Sequence, residues 1–284
     1  MSDSSTLAVV FDFDDTLAPD STTYLLEENG VDPGTFWSER FENRISDGYD
    51  PTVAYLTLLL DLVGEDEPLG TLTESDLRDY GSELDDELYE GVPGLFDDVR
   101  AIVAEYDTVD VEFYVVTEAL GPIVRGTHVA DECEAVYASE VATDENDVVD
   151  HVKRPISFTD KTRYLFEINK GIERSAGRDN PFAVNESRDE SARAIPFENV
   201  IYVGNGMTDI PCFSLVNDRN GHVFAVSPTS ESHKQRAIRD IGSPRRTRHA
   251  SEPAYGTDSR LGSLLRLTIE GLCTERTIDE LEAL

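Results

Sequence analysis

Three aspartates in four positions follow an apolar run near the start of the chain, in LAVVFDFDDTLAPD, residues 7–20. Leu7 to Phe11 have the make-up of a buried strand. Strand alternation then predicts Asp12 and Asp14 on one side, with Phe11 and Phe13 packing on the other. Two carboxylates on one side repel each other unless a cation sits between them. Acid alone is weak evidence in this chain, because Asp and Glu make up 58 of its 284 residues and most are expected on a solvated surface.

The formal net charge of −34 includes only four lysines against 20 arginines. A hydrophobic fraction of 39% still suffices for a packed core. Such an acidic skin repels nucleic acid and anionic membranes, which excludes both as expected partners, and it repels itself at low ionic strength. Adaptation to a very salty cytoplasm is the expectation. Cys133, Cys212 and Cys273 are odd in number, scattered and without zinc spacing. They read as buried structural thiols in a reducing compartment. No basic leader region opens the chain, and the apolar stretch AYLTLLLDLV at 54–63 is too short to span a bilayer, so a cytoplasmic location is expected.

These residues need elements to hold them. After the first strand the pattern is helical for about seventy residues, with helices expected over 21–29, 33–46, 51–63 and 73–89. The turn-rich breaks NGVDPG, SDGYDP and GEDEPLG separate them. Tyr55, Leu56, Leu59 and Leu60 read as core of this four-helix insertion. Strands and helices alternate from Gly91 onward. A helix in GVPGLFDDVRAIVAEY leads to a strand, VDVEFYVVT, ending at Thr117. A helix over GPIVRGTHVADEC, a strand AVYASEVA and a helix TDKTRYLFEINKGI come next. A polar insertion over 171–196 precedes the strands NVIYVGN and GHVFAVS, and GSLLRLTIEGL closes the chain as a helix. A surface helix is expected over 228–248. This alternation predicts an α/β fold with a doubly wound parallel sheet, covered on both faces.

In such a sheet the active crevice lies beyond the carboxyl ends of the strands. Three strands here end in polar punctuation: FDFDDT at 11–16, VVTEA at 115–119 and YVGNGMTD at 202–209. Lys161 opens the helix before the last of them. Taken in order, these four motifs resemble those of the haloacid dehalogenase-like (HAD) hydrolase superfamily, over about residues 7–226. The helical insertion resembles that superfamily's cap of the first type. The division implied is a core of 1–18 and 91–284 with a cap of 19–90.

The resemblance implies a phosphatase. Asp12 takes the nucleophile's place, attacking phosphorus to form an aspartyl-phosphate, and Asp14 is the acid and base for the two half-reactions. Thr117, through its hydroxyl, and Glu118, through its backbone N–H, bind phosphoryl oxygens. Lys161, rather than Lys153 or Lys170, neutralises charge on the nucleophile. Mg²⁺ is the implied cofactor, with Asp12, the Asp14 carbonyl, Asn205 and Asp209 as its ligand candidates. Two positions depart from the family's pattern. Asn205 stands where the fourth motif begins with Asp. Ser21 stands nine residues after Asp12, where phosphoserine phosphatases of similar layout carry Glu, so serine phosphate is not supported. The expected substrate is a small phosphorylated metabolite. A phosphotransferase such as a sugar phosphomutase is the enzymatic alternative, and a non-catalytic phosphate-binding module is the alternative from another class.

Overall fold

The computed structural model describes residues 5–172, 180, 182–189, 192–227 and 250–283. Seven strands form one sheet: β1 (Ser5–Phe11), β2 (Val109–Leu120), β3 (Ala135–Thr143), β4 (Val149–Arg154), β5 (Val200–Gly204), β6 (His222–Val226) and β7 (Ala250–Ser251). Their order is β4-β3-β2-β1-β5-β6-β7, parallel except for β4, which runs antiparallel to β3. β1 lies at the centre, and Leu7, Ala8, Val9, Val10 and Phe11 are all fully buried. Their side chains divide between two cores, one on each face of the sheet. Leu7, Val9 and Phe11 join the inserted helices on one side, while Ala8 and Val10 join Leu165, Ile168 and Phe213 on the other. A strand buried on both faces has to be apolar at every position, which is why LAVVF does not alternate.

The insertion after β1 is helical, as its periodicity predicts. It holds α1 (Ser21–Glu28), α2 (33–46, with a π-helical stretch at Phe36–Phe41), α3 (Pro51–Leu60) and α4 (Glu74–Leu84), followed by a 3₁₀ turn at Asp85–Glu87. Two of the three turn-rich breaks supply an N-cap, and Asp20 supplies one for α1. Asp20 accepts from Thr23 N at 2.6 Å, Asp32 from Thr35 N at 2.7 Å and Asp50 from Thr52 N at 3.0 Å. Thr73 and Asp76 form a capping box. Beyond α5 (Val92–Val103), the single helix expected over 121–133 is instead two short pieces, α6 (Gly121–Val124) and α7 (Val129–Glu132). Gly126 and the Thr127 side-chain bond to the Val124 carbonyl lie between them. β4 went unread in the sequence because DHVK in its middle is polar, as suits a sheet edge. The remaining helices are α8 (Asp160–Lys170), α9 (Ile210–Asp218) and α10 (Arg260–Ala283), the last longer than the 262–272 expected. The expected helix over 228–248 lies outside the described residues. So does part of the 171–196 insertion, of which a 3₁₀ turn at Ala183–Asn185 is described. All three cysteines are free thiols. No helix among the described residues is long and apolar enough to cross a membrane.

α4 meets α6 backbone to backbone. A Cβ on Gly81 would lie 2.0 Å from the Ile123 carbonyl oxygen, and one on Gly126 would lie 2.1 Å from that of Arg78. Ala in place of Gly inside a helix normally stabilises by about 0.5–1 kcal/mol. Gly81→Ala is expected to reverse that sign and cost about 1–3 kcal/mol, because the two backbones have to part. Chemical denaturation measures it, and a stabilised variant would contradict the close approach.

Candidate active site

Sheet register brings the strand-end motifs together at the carboxyl end of the sheet. Phe11 pairs with Val115 on one side and with Val203 on the other. Asp12 therefore emerges between Thr117, two residues past Val115, and Asn205, two past Val203. Asp12 N–H still donates to the Val203 carbonyl at 2.9 Å. β1 ends at Phe11, however, so Asp14 belongs to the following turn rather than to a strand face shared with Asp12. In that turn Asp15 takes a left-handed φ of 55° and its carboxylate accepts from the Tyr89 hydroxyl. The Asp14 carboxylate accepts from Ser21 N at 2.9 Å, at the start of α1. Ser21 is thus a support for Asp14.

β2 does not stop at Thr117. Between Val116 and Leu120 it advances four residues while β3 advances two, from Tyr137 to Ser139. The resulting bulge holds Thr117, Glu118 and Ala119, and bulges re-aim side chains at strand ends. Thr117 Oγ1 accepts from Ala119 N at 3.2 Å. Tyr55 of α3, read from the sequence as insertion core, is indeed buried, and its hydroxyl donates to the Glu118 carbonyl at 2.5 Å.

Lys161, second residue of α8, is fully buried and joins the first and fourth motifs. Its Nζ lies 3.1 Å from Asp12 Oδ1 and 2.9 Å from Asp209 Oδ1. Lys170 instead donates to the backbone carbonyls of Val184 and Glu186, and Lys153 lies on the edge strand β4. Asp209 Oδ1 also accepts from the Tyr202 hydroxyl at 2.7 Å, while Oδ2 accepts from Gly206 N at 3.1 Å. Both of its oxygens are thus engaged. Gly204 permits this approach, since a Cβ there would sit 2.5 Å from the Asp209 carboxylate. Asn205 is half-buried, with no side-chain hydrogen bond among the described residues. Tyr202 escaped the sequence reading because a tyrosine inside YVG is indistinguishable from strand core. Asp20 escaped it as one acid among many.

Electrostatics are one-sided. Among the described residues, Lys161 is the one basic side chain within 4.0 Å of any of the carboxylates Asp12, Asp14, Asp20, Glu118 and Asp209. Burial, then the Asp209 charge, pushes Asp12 up to about 6 against the pull of Lys161. Burial, then Asp20, holds Asp14 well above the usual carboxylate range. Burial raises Glu118 to about 7 although Lys161 opposes it. Lys161 itself is held strongly charged by Asp12 and Asp209 in spite of its burial. Among the described residues, no three His, Cys, Asp or Glu side chains converge as a finished metal centre. The donor chemistry still fits a hard divalent cation. Carboxylate, amide and carbonyl oxygens surround a buried excess of negative charge that one lysine does not cancel.

The chain belongs to the haloacid dehalogenase-like hydrolase family, whose model matches residues 9–214, from β1 through most of α9. An uncharacterized protein of Borreliella burgdorferi is 28% identical over 236 residues, 75% of this chain and 79% of that one. A substrate-bound phosphoserine phosphatase shares the fold with a TM-score of 0.54 at 14% identity, over 92% of this chain and 98% of that one. A probable phosphoserine phosphatase of Vibrio cholerae gives 0.56 at 13% identity, over 95% and 67%. A HAD family hydrolase of Salmonella enterica serovar Typhi gives 0.53 at 15%, over 80% of this chain but 64% of its own length. At these identities the likeness to solved structures is one of fold.

Proposed function

We propose that the protein is a Mg²⁺-dependent phosphatase that hydrolyses a small phosphomonoester through an aspartyl-phosphate on Asp12. The observation that carries this reading is the buried Asp12 carboxylate, held by Lys161 at 3.1 Å at the carboxyl end of the central strands, where Thr117 also emerges. Asp12 attacks phosphorus and the ester bond breaks, with Asp14 giving its proton to the leaving alcohol oxygen. The raised affinity of Asp14 for its proton suits that step. The Thr117 hydroxyl and the Glu118 N–H bind the phosphoryl oxygens, and Lys161 offsets charge on nucleophile and phosphoryl group. Asp14 then takes a proton from the water that releases phosphate from Asp12. Asp12, the Asp14 carbonyl and Asn205 would hold Mg²⁺, which when bound neutralises negative charge on the carboxylates and the phosphoryl group. Helices α1 to α4 serve as a cap that limits substrate size, with 19–90 as cap and the rest as core. The test is release of inorganic phosphate from p-nitrophenyl phosphate in Mg²⁺ and molar KCl. No release under these conditions would overturn the reading.

Asn205, half-buried and without a side-chain hydrogen bond among the described residues, is the fourth-motif side chain with the most free capacity for a cation, since Asp209 Oδ1 already accepts from Lys161 and Tyr202 and Oδ2 from Gly206 N. Asn205→Asp is expected to tighten Mg²⁺ binding, seen as a lower half-saturating Mg²⁺ concentration for turnover. It is also expected to lower metal-free stability by about 1 kcal/mol or more, since it adds a carboxylate to an already negative site. A remote surface position would change neither beyond a few tenths of a kcal/mol.

We place the protein in a salty cytoplasm. Self-repulsion from a net charge of −34 weakens as the screening length falls from about 10 Å at 0.1 M salt to about 3 Å at 1 M. The thermal midpoint should rise steeply with KCl over that range, and a flat midpoint would refute the placement.

A further inference from the structure

We propose that Tyr255, on the segment between β7 and α10, is a positioning residue for the acid Asp14, an inference that rests on the phosphatase reading above. Tyr255 lies past residue 214, where the match to the family model ends, so the family's motifs give it no role. It is fully buried, and its ring meets that of Phe11, the last residue of β1, edge to face with centroids 6.3 Å apart. Its hydroxyl donates to the Thr16 carbonyl at 2.8 Å and its N–H to the Glu90 carbonyl at 2.7 Å. Thr16 precedes the inserted helices and Glu90 follows them, so one residue ties both crossings of the chain to the core. Close packing seats it there. A Cβ on Gly91 would lie 2.3 Å from Gly256 N, and Arg266 donates to the Tyr255 carbonyl at 2.8 Å.

The turn that Thr16 belongs to carries Asp14. It wraps around the Phe13 carbonyl, which accepts from the N–H groups of Thr16, Leu17 and Ala18 at 3.1, 2.8 and 3.3 Å. Two donors hold it from outside: the Tyr255 hydroxyl on the Thr16 carbonyl, and the Tyr89 N–H on the Leu17 carbonyl at 2.9 Å. The Asp14 carboxylate accepts from Ser21 N, three residues past Ala18, so its place also follows from where the turn sits. Asp12 is held separately, by Lys161 and by the Val203 carbonyl. Removing the Tyr255 hydroxyl therefore loosens the acid and spares the nucleophile. Thr16 is fully buried, and a buried carbonyl stripped of its donor is costly, so the turn shifts toward another. A displacement of about 1 Å suffices to slow a positioned step by about a hundredfold.

Leaving-group dependence tests this. p-Nitrophenolate departs from phosphorus without a proton, whereas the more basic phenolate gains from one supplied by Asp14. kcat/KM covers the steps up to cleavage of the ester bond, so the later use of Asp14 as a base does not enter it. Tyr255→Phe keeps the ring and loses one oxygen. At saturating Mg²⁺ and fixed molar KCl, its kcat/KM should fall by about tenfold or more for phenyl phosphate and by less than about threefold for p-nitrophenyl phosphate. Should this variant fail to fold, Arg266→Gln, which frees the Tyr255 carbonyl and keeps the phenol, should shift the ratio of the two esters the same way. Partial unfolding lowers both esters alike. An equal fall, or none, would overturn the role of Tyr255 while leaving the phosphatase reading intact. A wild type that turns over only the nitrophenyl ester has no working acid, which overturns the role as well. Turnover of neither ester by the wild type would overturn both.

Discussion

Asp12→Asn is expected to remove phosphatase turnover, by about four orders of magnitude or more, while the chain keeps its fold. The amide matches the carboxylate in size and can still accept from Lys161, but it is no nucleophile toward phosphorus. The same variant should show a second effect in the metal-free protein. Asp12 is raised from 3.8 to about 6 on folding, so the folded state holds this proton more tightly than the unfolded chain does. The stability linked to it is fully present below about pH 4 and is lost as pH rises through about 6, amounting to roughly 3 kcal/mol. Asparagine cannot ionise. The stability of Asp12→Asn relative to wild type should therefore climb by up to that amount between about pH 4 and pH 8, in chelator and fixed KCl. A difference that does not move with pH would contradict the buried, proton-holding carboxylate.

Lys161→Met should be the most destabilising single change in the site. Lys161 is fully buried, and its ammonium lies within 3.1 Å of Asp12 and 2.9 Å of Asp209, which are 4% and 0% exposed. Methionine fills much of the volume but leaves two buried carboxylates without a cation, which costs about 3–5 kcal/mol when one partner of a buried pair is removed. The carboxylates then respond by binding protons. The loss should accordingly be largest at about pH 8 and shrink toward pH 5, and added Mg²⁺ should restore part of it. Urea denaturation of both proteins at the two pH values reads the effect. A loss under about 1 kcal/mol at the higher pH would show that Lys161 does not hold the pair together.

Much of this arrangement is legible in the sequence. Central strands betray themselves by unbroken apolar runs, and the inserted helices by helical spacing between turn-rich breaks, in or next to which the structure adds the N-caps Asp32, Asp50 and Thr73. Lys161 could be singled out because lysine is scarce here. What stayed hidden depends on register or on neighbours distant in sequence. The bulge at Thr117 to Ala119 exists only relative to β3, and no feature of VVTEAL announces it. Tyr202 reads as strand core until Asp209 folds back onto it. Tyr55 does pack in the core, yet its hydroxyl ties α3 to the Glu118 carbonyl, a contact between residues 63 positions apart. Asp14 reads as strand-borne, but the chain has already turned, and Ser21 rather than strand geometry fixes its carboxylate.

The central claim is a covalent phosphoryl group on Asp12, and trapping it is the most direct test. The wild-type protein is mixed with p-nitrophenyl phosphate and Mg²⁺ in molar KCl, quenched in acid during steady turnover and reduced with borohydride. An aspartyl-phosphate is reduced to homoserine, whereas a free aspartate is not. Mass spectrometry of the peptide spanning residues 7–20 should find homoserine at position 12, absent without substrate and absent in Asp12→Asn. Steady phosphate release with position 12 still aspartate, or homoserine at another position, would contradict the account.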